Sequence, residues 1–302
     1  MLTYTGARNL FGSLVNNNSS TVLTLGDSLV NEGIRVMLGD LPWPFLQTTT
    51  TASTVAAQQT YTLPGNLARL INVYILVGTV RYTPTEVTSY DDWNRIQAAN
   101  NIQSDNVTYY FQQGNSIQFW PTPASSSNTI YYEYLQAVKD ISIADYTTGT
   151  ITTATNGSAA IVGSGTSWSA GMVGKYLRIT STNAANVGDG LWYKLASVGS
   201  ATTLTLSAVY TGVSIAAGSA AYIIGDVMAI PEKYQTGPVY YAASQYWRKE
   251  VDGDSKADRF EQQFNEILTR MKREEGTKGT SVVVDDNTDL SVINPNLNKS
   301  AT

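Results

Sequence analysis

Two short glycine patterns in the sequence could bind phosphate, and both depart from what phosphate binding needs. Gly163-Ser164-Gly165 begins like a dinucleotide-binding loop, but Trp168 stands where the third glycine belongs, and no helix is predicted to follow. Gly174-Lys175 resembles the end of a phosphate loop, but Tyr176 replaces the hydroxyl residue that would bind Mg²⁺. We interpret the first pattern as a β-turn and reject the second.

An acidic segment in the last quarter of the chain could bind calcium. Asp252-Gly253-Asp254 and Asp258 supply carboxylates at short spacing. The EF-hand loop needs a glycine at its sixth position and a glutamate at its twelfth, where this chain has Ala257 and Gln263. We therefore interpret the segment as a turn between two helices, and we predict no metal site and no cofactor.

A pair of carboxylates is the remaining catalytic option, because glycosidases use two of them in acid–base or nucleophilic roles. The candidates are Glu86, Asp91, Asp92, Glu133 and Asp140. Their spacing brings no particular pair to the separation that such an enzyme needs. A carboxylate glycosidase is therefore the weakest of our hypotheses, and we predict that the chain is not an enzyme.

Composition excludes most other chemistry. The 302 residues include no cysteine and no histidine, which rules out disulfides, thiolate metal sites, cysteine nucleophiles and imidazole catalysis. A net charge of −5 argues against a general nucleic-acid binder or a binder of anionic membranes. No run of about 18 apolar residues predicts a membrane span, and the N-terminus lacks the pattern of a secretory signal. A structural or interaction protein remains.

Aromatic residues are the other group that could bind a ligand. The chain has 19 tyrosines and 6 tryptophans. Those that could line a platform for sugars in residues 148–225 are Trp168, Tyr176, Trp192, Tyr193, Tyr210 and Tyr222. The same residues could form a core and contacts between subunits, because aromatic side chains dominate both. We favour core and interface over a sugar platform.

The charged residues are spread unevenly, which predicts several structural units. Residues 230–276 hold eight basic and nine acidic side chains, whereas residues 148–225 hold four charges and 12 of the 24 glycines. The predicted divisions are 1–147 as the N-terminal part of a host domain, 148–225 as an inserted β module, 226–276 as the C-terminal helical hairpin of the host, and 277–302 as a flexible tail.

The charged segment predicts two helices. Pro231 suits a first helical position, and Gly237-Pro238 either kinks that helix or starts a new one. Asp254 or Ser255 would cap the last helix, which ends near Gly276. Its apolar stripe contains Phe260, Phe264, Ile267, Leu268 and Met271. We predict a partner interface at Phe260, Phe264, Ile267 and Met271, and in the tail at Val282, Val283 and Val284.

The rest of the chain predicts helices followed by many short strands. A helix is expected over about 5–15, and Thr24 or Asp27 would cap a second one. Residues 148–225 contain six β-rich stretches separated by glycine turns, which is typical of a small barrel or sandwich. The fold class is therefore α+β: a helical bundle or hairpin with β-strands, plus an inserted all-β barrel or sandwich module.

Residues 277–302 are polar apart from two small apolar clusters, so they cannot form a core alone. We expect residues 281–293 to become ordered only in an assembled complex, against a neighbouring chain or another partner.

Two parts of the sequence resemble a known family, the head-to-tail adaptor (head-completion or connector) proteins of tailed double-stranded DNA bacteriophages. The N-terminal similarity lies in Trp43-Pro44-Phe45, Gln59–Pro64 and Leu67–Ile71. The C-terminal similarity lies in Ile230–Tyr234, the helix to Trp247, and the helix carrying Phe260–Met271. Residues 165–168, 174–179 and 210–212 are similar to small β modules of phage neck and tail proteins.

The resemblance implies a structural virion protein that is made in the bacterial host cytoplasm and located at the head–tail junction, or neck. There it would form a closed homo-oligomeric ring, often dodecameric, that joins the portal protein to the tail or to a nozzle or stopper protein. Double-stranded DNA would pass through the ring during ejection, and no membrane is involved. The first alternative is a tail- or fibre-associated protein that binds glycans through its β module, and the second is the glycosidase.

Overall fold

The computed structural model describes residues 1–39, 41–99, 102–182, 186–215 and 219–276. Over these ranges the chain forms five α-helices and fourteen β-strands in three sheets, which confirms the α+β class. Four of the helices share one hydrophobic core, and the strands surround two others.

The first two helices are α1 (Tyr4–Val15) and α2 (Ser20–Gly39). The Thr3 hydroxyl caps α1 by accepting a hydrogen bond from the Gly6 amide. The prediction that Thr24 or Asp27 caps α2 is wrong, because the Ser19 carbonyl already accepts from the Leu23 amide and the helix begins at Ser20. Asp27 instead pairs with Arg8 of α1 at 2.7 Å.

Helix α3 (Tyr90–Ala99) lies among the strands. Near the end of the described chain, a 3-10 turn (Glu232–Tyr234) precedes α4 (Gly237–Trp247), and α5 (Asp254–Glu275) follows α4. The new helix α4 begins at Gly237, and Pro238 lies in its first turn, where its missing N–H has no intrahelical partner to lose. Neither Asp254 nor Ser255 caps α5, since the cap residue is Gly253, whose carbonyl accepts from the Ala257 amide. Only glycine fits there, because a Cβ would lie 1.9 Å from the Trp247 carbonyl oxygen.

The helical core is built from both ends of the chain. Helices α1 and α2 pack against α4, and α4 packs against α5. The fully buried members include Phe11, Ile34, Met37, Trp43, Tyr234, Val239 and Met271. At Gly33 the α2 backbone approaches α4 so closely that a Cβ would lie 2.9 Å from the Pro238 carbonyl oxygen.

Two four-stranded sheets form a separate β unit. One has the order β1-β8-β3-β4, with β1 (Gln47–Ser53), β3 (Leu67–Val77), β4 (Val80–Tyr82) and β8 (Thr129–Gln136). The other has the order β2-β7-β6-β5, with β2 (Thr60–Thr62), β5 (Thr85–Glu86), β6 (Tyr109–Gln113) and β7 (Ser116–Trp120). Alternate side chains such as Ile117, Phe119, Ile130 and Tyr132 fill the core between them.

Residues 146–225 form the third core. The sheet order is β14-β11-β12-β13-β10-β9, with β9 (Thr150–Ala154), β10 (Ala160–Ser164), β11 (Tyr176–Ile179), β12 (Tyr193–Ser200), β13 (Thr203–Leu206) and β14 (Tyr222–Gly225). Isolated bridges Tyr146–Ile224, Ile151–Ala220 and Ala154–Ile215 link the two edges of this curled sheet. We call residues 146–225 the β module; that it is an insertion stays a prediction.

Candidate interaction surfaces

The glycine pattern at residues 163–165 serves the core of the β module. Gly163 and Ser164 end β10, and Gly165 has a left-handed φ of +67°. A Cβ at Gly163 would lie 2.7 Å from the Trp168 ring, so the glycine makes room for the indole. The next helical element is the short 3-10 turn Ala170–Met172, which offers no helix N-terminus of useful length to a phosphate.

Three of the five candidate glycosidase carboxylates have structural partners, and these three lie on different elements. Glu133 accepts a hydrogen bond from Asn72 at 3.1 Å, Asp140 pairs with Arg35, and Asp92 lies 3.8 Å from Arg95. Asp91 lies in the first turn of α3, where its negative charge interacts favourably with the helix dipole. Within the described ranges, no group of three or more Asp and Glu residues could hold a metal ion.

Most of the aromatic candidates of the β module are core residues, as we favoured. Trp168, Tyr193, Tyr210 and Tyr222 are all less than 10% exposed. The Trp168 indole N–H donates to the Tyr222 hydroxyl at 2.9 Å, and that hydroxyl donates to the Thr148 carbonyl. Burial raises the pKa of Tyr222. Only Tyr176 and Trp192 of the six remain partly exposed.

The apolar stripe of α5 faces its own chain. Phe260, Phe264 and Met271 are buried, and Ile267 is partly buried. Tyr240 of α4 stacks on Phe260 with ring centroids 6.2 Å apart. These side chains hold the α4–α5 hairpin together, and a contact of theirs with a partner stays a prediction. Val282, Val283 and Val284 lie outside the described residues.

The end of α5 is anchored to the 3-10 turn that precedes α4. The Lys233 ammonium lies 2.9 Å from a carboxylate oxygen of both Glu274 and Glu275. The Tyr234 hydroxyl donates to Glu274 at 2.8 Å. The hydrogen bond from Lys233, followed by that from Tyr234, lowers the pKa of Glu274 to about 2. The last turn of α5 is therefore held at a defined place.

A polar junction joins the β module to the helices. Asp226, which is 3% exposed, follows β14 and accepts hydrogen bonds from the Lys139 ammonium at 3.0 Å and the Ser142 amide at 3.2 Å. Lys175 of the β module is also buried, and burial lowers its pKa while Asp226 opposes the shift. One carboxylate thus balances a charge on the segment entering the module and a charge within the module.

The N-terminal residues also contact the segments that enter and leave the β module. Thr3 forms an isolated bridge with Val227, and its hydroxyl donates to Asp145 at 2.9 Å. The Tyr4 amide donates to the Asp226 carbonyl at 2.8 Å. Residues on both sides of the β module are therefore tied to the start of α1, which fixes how the module is seated on the helical core.

Beside this junction lies a cleft of about 660 Å³ between the β module and the helices. One wall of the cleft, which we call the cationic wall, is formed by four side chains. They are Tyr176 and Arg178 of β11, Trp192 just before β12, and Lys194 within β12. Tyr176 is the register partner of Lys194, so the four side chains share the outer face of the sheet while Leu177 and Tyr193 point inward. The Arg178 guanidinium lies 5.9 Å from the centre of the Trp192 ring.

The described residues thus present a cleft and exposed faces, and none of their acidic clusters could hold a metal ion. The family model for SU10 adaptor protein matches residues 3–158, just over half of the chain, from the N-terminal cap of α1 through β9. The chain therefore belongs to the SU10 adaptor protein family, a phage adaptor family that is structural and not enzymatic. A search of curated proteins found no significant match.

The matched range covers the N-terminal similarity seen in the sequence and confirms the phage adaptor assignment. Strands β10–β14 and the α4–α5 hairpin lie beyond it. The phage adaptor role implies a virion component. Within the described residues, none of the helices combines the length and apolar character that a membrane span requires.

Proposed function

We propose that this adaptor forms a closed ring in the phage neck, where it joins the portal protein to the tail and lets double-stranded DNA pass. The observation that carries the proposal is the family match over residues 3–158. Helices α1 and α2, which lie in that range, share their core with α4 and α5, so these four helices act as one body that could dock on a ring-shaped partner.

A ring needs one surface that binds a different surface of the next copy. Strand β1 supplies such a surface, because it pairs with β8 on one side and is the edge of its sheet on the other. Its sequence, Gln47–Ser53, has no charge and no proline, and its register with β8 runs without a bulge. Exposed edges of this kind pair readily with other chains, and a neighbouring subunit would protect this one.

Passage of DNA requires a surface that does not retain it. Strong binding of DNA comes from neutralising phosphates with clustered cations. This chain has a net charge of −5, and the five cations of α5 are outnumbered by its six acids. A pore built from such subunits would repel DNA weakly and would let it move.

The test is the mass of the purified protein alone and mixed with portal rings, followed by cryo-electron microscopy of the virion. We expect a symmetric collar between portal and tail, with a dodecamer as the first expectation. Location of the chain anywhere else in the particle would end the proposal.

The glycan-binding alternative now depends on Tyr176 and Trp192, since Trp168 is in the core. Binding of the full chain to a glycan array, lost on Trp192→Ala, would favour that alternative.

A further inference from the structure

The cationic wall carries charges that nothing in the described structure neutralises. Neither Arg178 nor Lys194 forms an ion pair within the described ranges. The acid of the β module, Asp189, is already engaged, because it accepts hydrogen bonds from the hydroxyls of Tyr193 and Thr211. With three cations against this one acid, residues 148–225 carry +2 in a chain whose net charge is −5.

The opposite side of the cleft does not supply the missing anion. Its acid is Glu232, and the amino group of Met1 contacts that carboxylate. The cleft therefore presents two free cations and two partly exposed aromatic rings, Tyr176 and Trp192. A complementary ligand would carry carboxylates next to apolar side chains, as an acidic peptide does.

The chain itself contains a segment with this chemistry. Residues 281–289 read Ser-Val-Val-Val-Asp-Asp-Asn-Thr-Asp, with three acids and no cation. The segment therefore combines three valines with carboxylates, the groups that complement aromatic rings and cations.

The end of α5 lies within reach of the cleft. Glu275 is ion-paired with Lys233, and Lys233 adjoins Glu232 in the cleft wall. An extended chain covers about 3.3–3.6 Å per residue, so the seven residues from Glu275 to Val282 span up to about 25 Å. Tethering also gives the segment a high effective concentration at a site it can reach, which a segment from another molecule lacks.

We propose that residues 282–286 of the same chain occupy the cleft between the cationic wall and Glu232. This goes beyond the proposed ring function and stands independently of it. The expectation that residues 281–293 become ordered only in an assembled complex lies outside the described residues and stays a prediction, which the experiments below compare with this proposal. A segment held in the cleft is unavailable to other partners until it is released.

The experiment uses the full chain with a bimane fluorophore at Ser281→Cys, which is a unique label because the chain has no cysteine. Bimane is quenched by a tryptophan in contact with it. We expect quenched emission that is restored by Trp192→Phe and unchanged by the matched Trp120→Phe, a partly exposed tryptophan in β7. No change with Trp192→Phe would overturn the proposal.

A second measurement tests the charges. Arg178→Gln with Lys194→Gln should shift the docked-to-free ratio of the segment by roughly fivefold for each cation, as an exposed ion pair would. The matched pair Arg95→Gln with Lys249→Gln removes the same charge elsewhere and should leave the ratio unchanged. Equal effects of the two pairs would contradict a specific site.

A mixing control separates the chain's own segment from that of a neighbour. Labelled Trp192→Phe protein is mixed with an excess of unlabelled chain that retains Trp192. Emission should stay unquenched if the segment docks on its own chain. Quenching on mixing would show that it enters another molecule's cleft and would overturn the assignment.

Discussion

The Lys139 ammonium donates to the buried Asp226 carboxylate at 3.0 Å, which links the segment entering the β module to the segment leaving it. The two residues differ greatly in exposure, with relative side-chain areas of 68% for Lys139 and 3% for Asp226. Mutations at the two ends of this one contact should therefore have unequal consequences.

Asp226→Ala should lower the free energy of unfolding by about 2–3 kcal/mol, because it leaves the Ser142 amide without its acceptor and the buried Lys175 without its counter-charge. Lys139→Ala should cost less than about 1 kcal/mol, because its side chain is mostly in water. Urea denaturation of both variants checks this, and equal losses would contradict the assigned role of Asp226.

Substitution of the two tryptophans of the β module should separate core from surface. Trp168→Ala removes a buried indole and its hydrogen bond to Tyr222, so we expect a loss of about 3–5 kcal/mol. Trp192→Ala removes a partly exposed ring and should cost about 1 kcal/mol or less. Thermal or urea unfolding of the full-length variants measures both losses of stability. Similar losses would mean that Trp192 also supports the core.

Two glycines of α2 should respond to alanine in opposite directions. Gly33→Ala places a Cβ 2.9 Å from the Pro238 carbonyl oxygen, so α2 and α4 must separate, at a cost of about 1–3 kcal/mol. Gly39→Ala meets nothing within 4 Å and should stabilise the chain by up to about 1 kcal/mol, because alanine favours a helix more than glycine does. Destabilisation by both would point to a general effect on α2 and not to its contact with α4.

The end of α5 should loosen in acid. Its contact with Lys233 lowers the pKa of Glu274 from 4.5 to about 2, so the stabilisation is present above pH 4.5 and is lost as pH falls towards 2. Amide hydrogen exchange of residues 271–275, corrected for intrinsic rates, should rise over that interval. Glu274→Gln should remove the pH dependence, and a wild-type profile in that variant would contradict this origin.

Local patterns were sufficient to predict most of the regular elements. The alternation and glycine turns of residues 148–225 placed strands that overlap all six of β9–β14. Ser89 followed by Asp91 and Asp92 is a similar local signal for the start of α3, where the Asp92 amide donates to the Ser89 hydroxyl at 3.4 Å. Caps and turns depend on residues a few positions apart, so they can be predicted from the sequence without knowledge of the tertiary structure.

The errors arose where distant residues decide the outcome. The start of α2 depends on how α1 turns at Asn16, and the cap of α5 depends on the close approach of Gly253 to Trp247. The aromatic residues Tyr176 and Trp192 were named from sequence, and the alternation of Arg178 and Lys194 beside them could have indicated a shared face. That Glu232 lies across the cleft from this face follows only from tertiary packing.

The helical core, assembled from both ends of the chain, has a consequence for biosynthesis. Helix α2 leaves the ribosome almost 200 residues before α4, the helix against which it packs. At translation speeds of 5–20 residues per second, its apolar stripe stays uncovered for roughly 10–40 s. The two β units are complete before then, so the newborn polypeptide would fold from its middle outwards, and its first helices would depend on chaperones or transient contacts until synthesis ends.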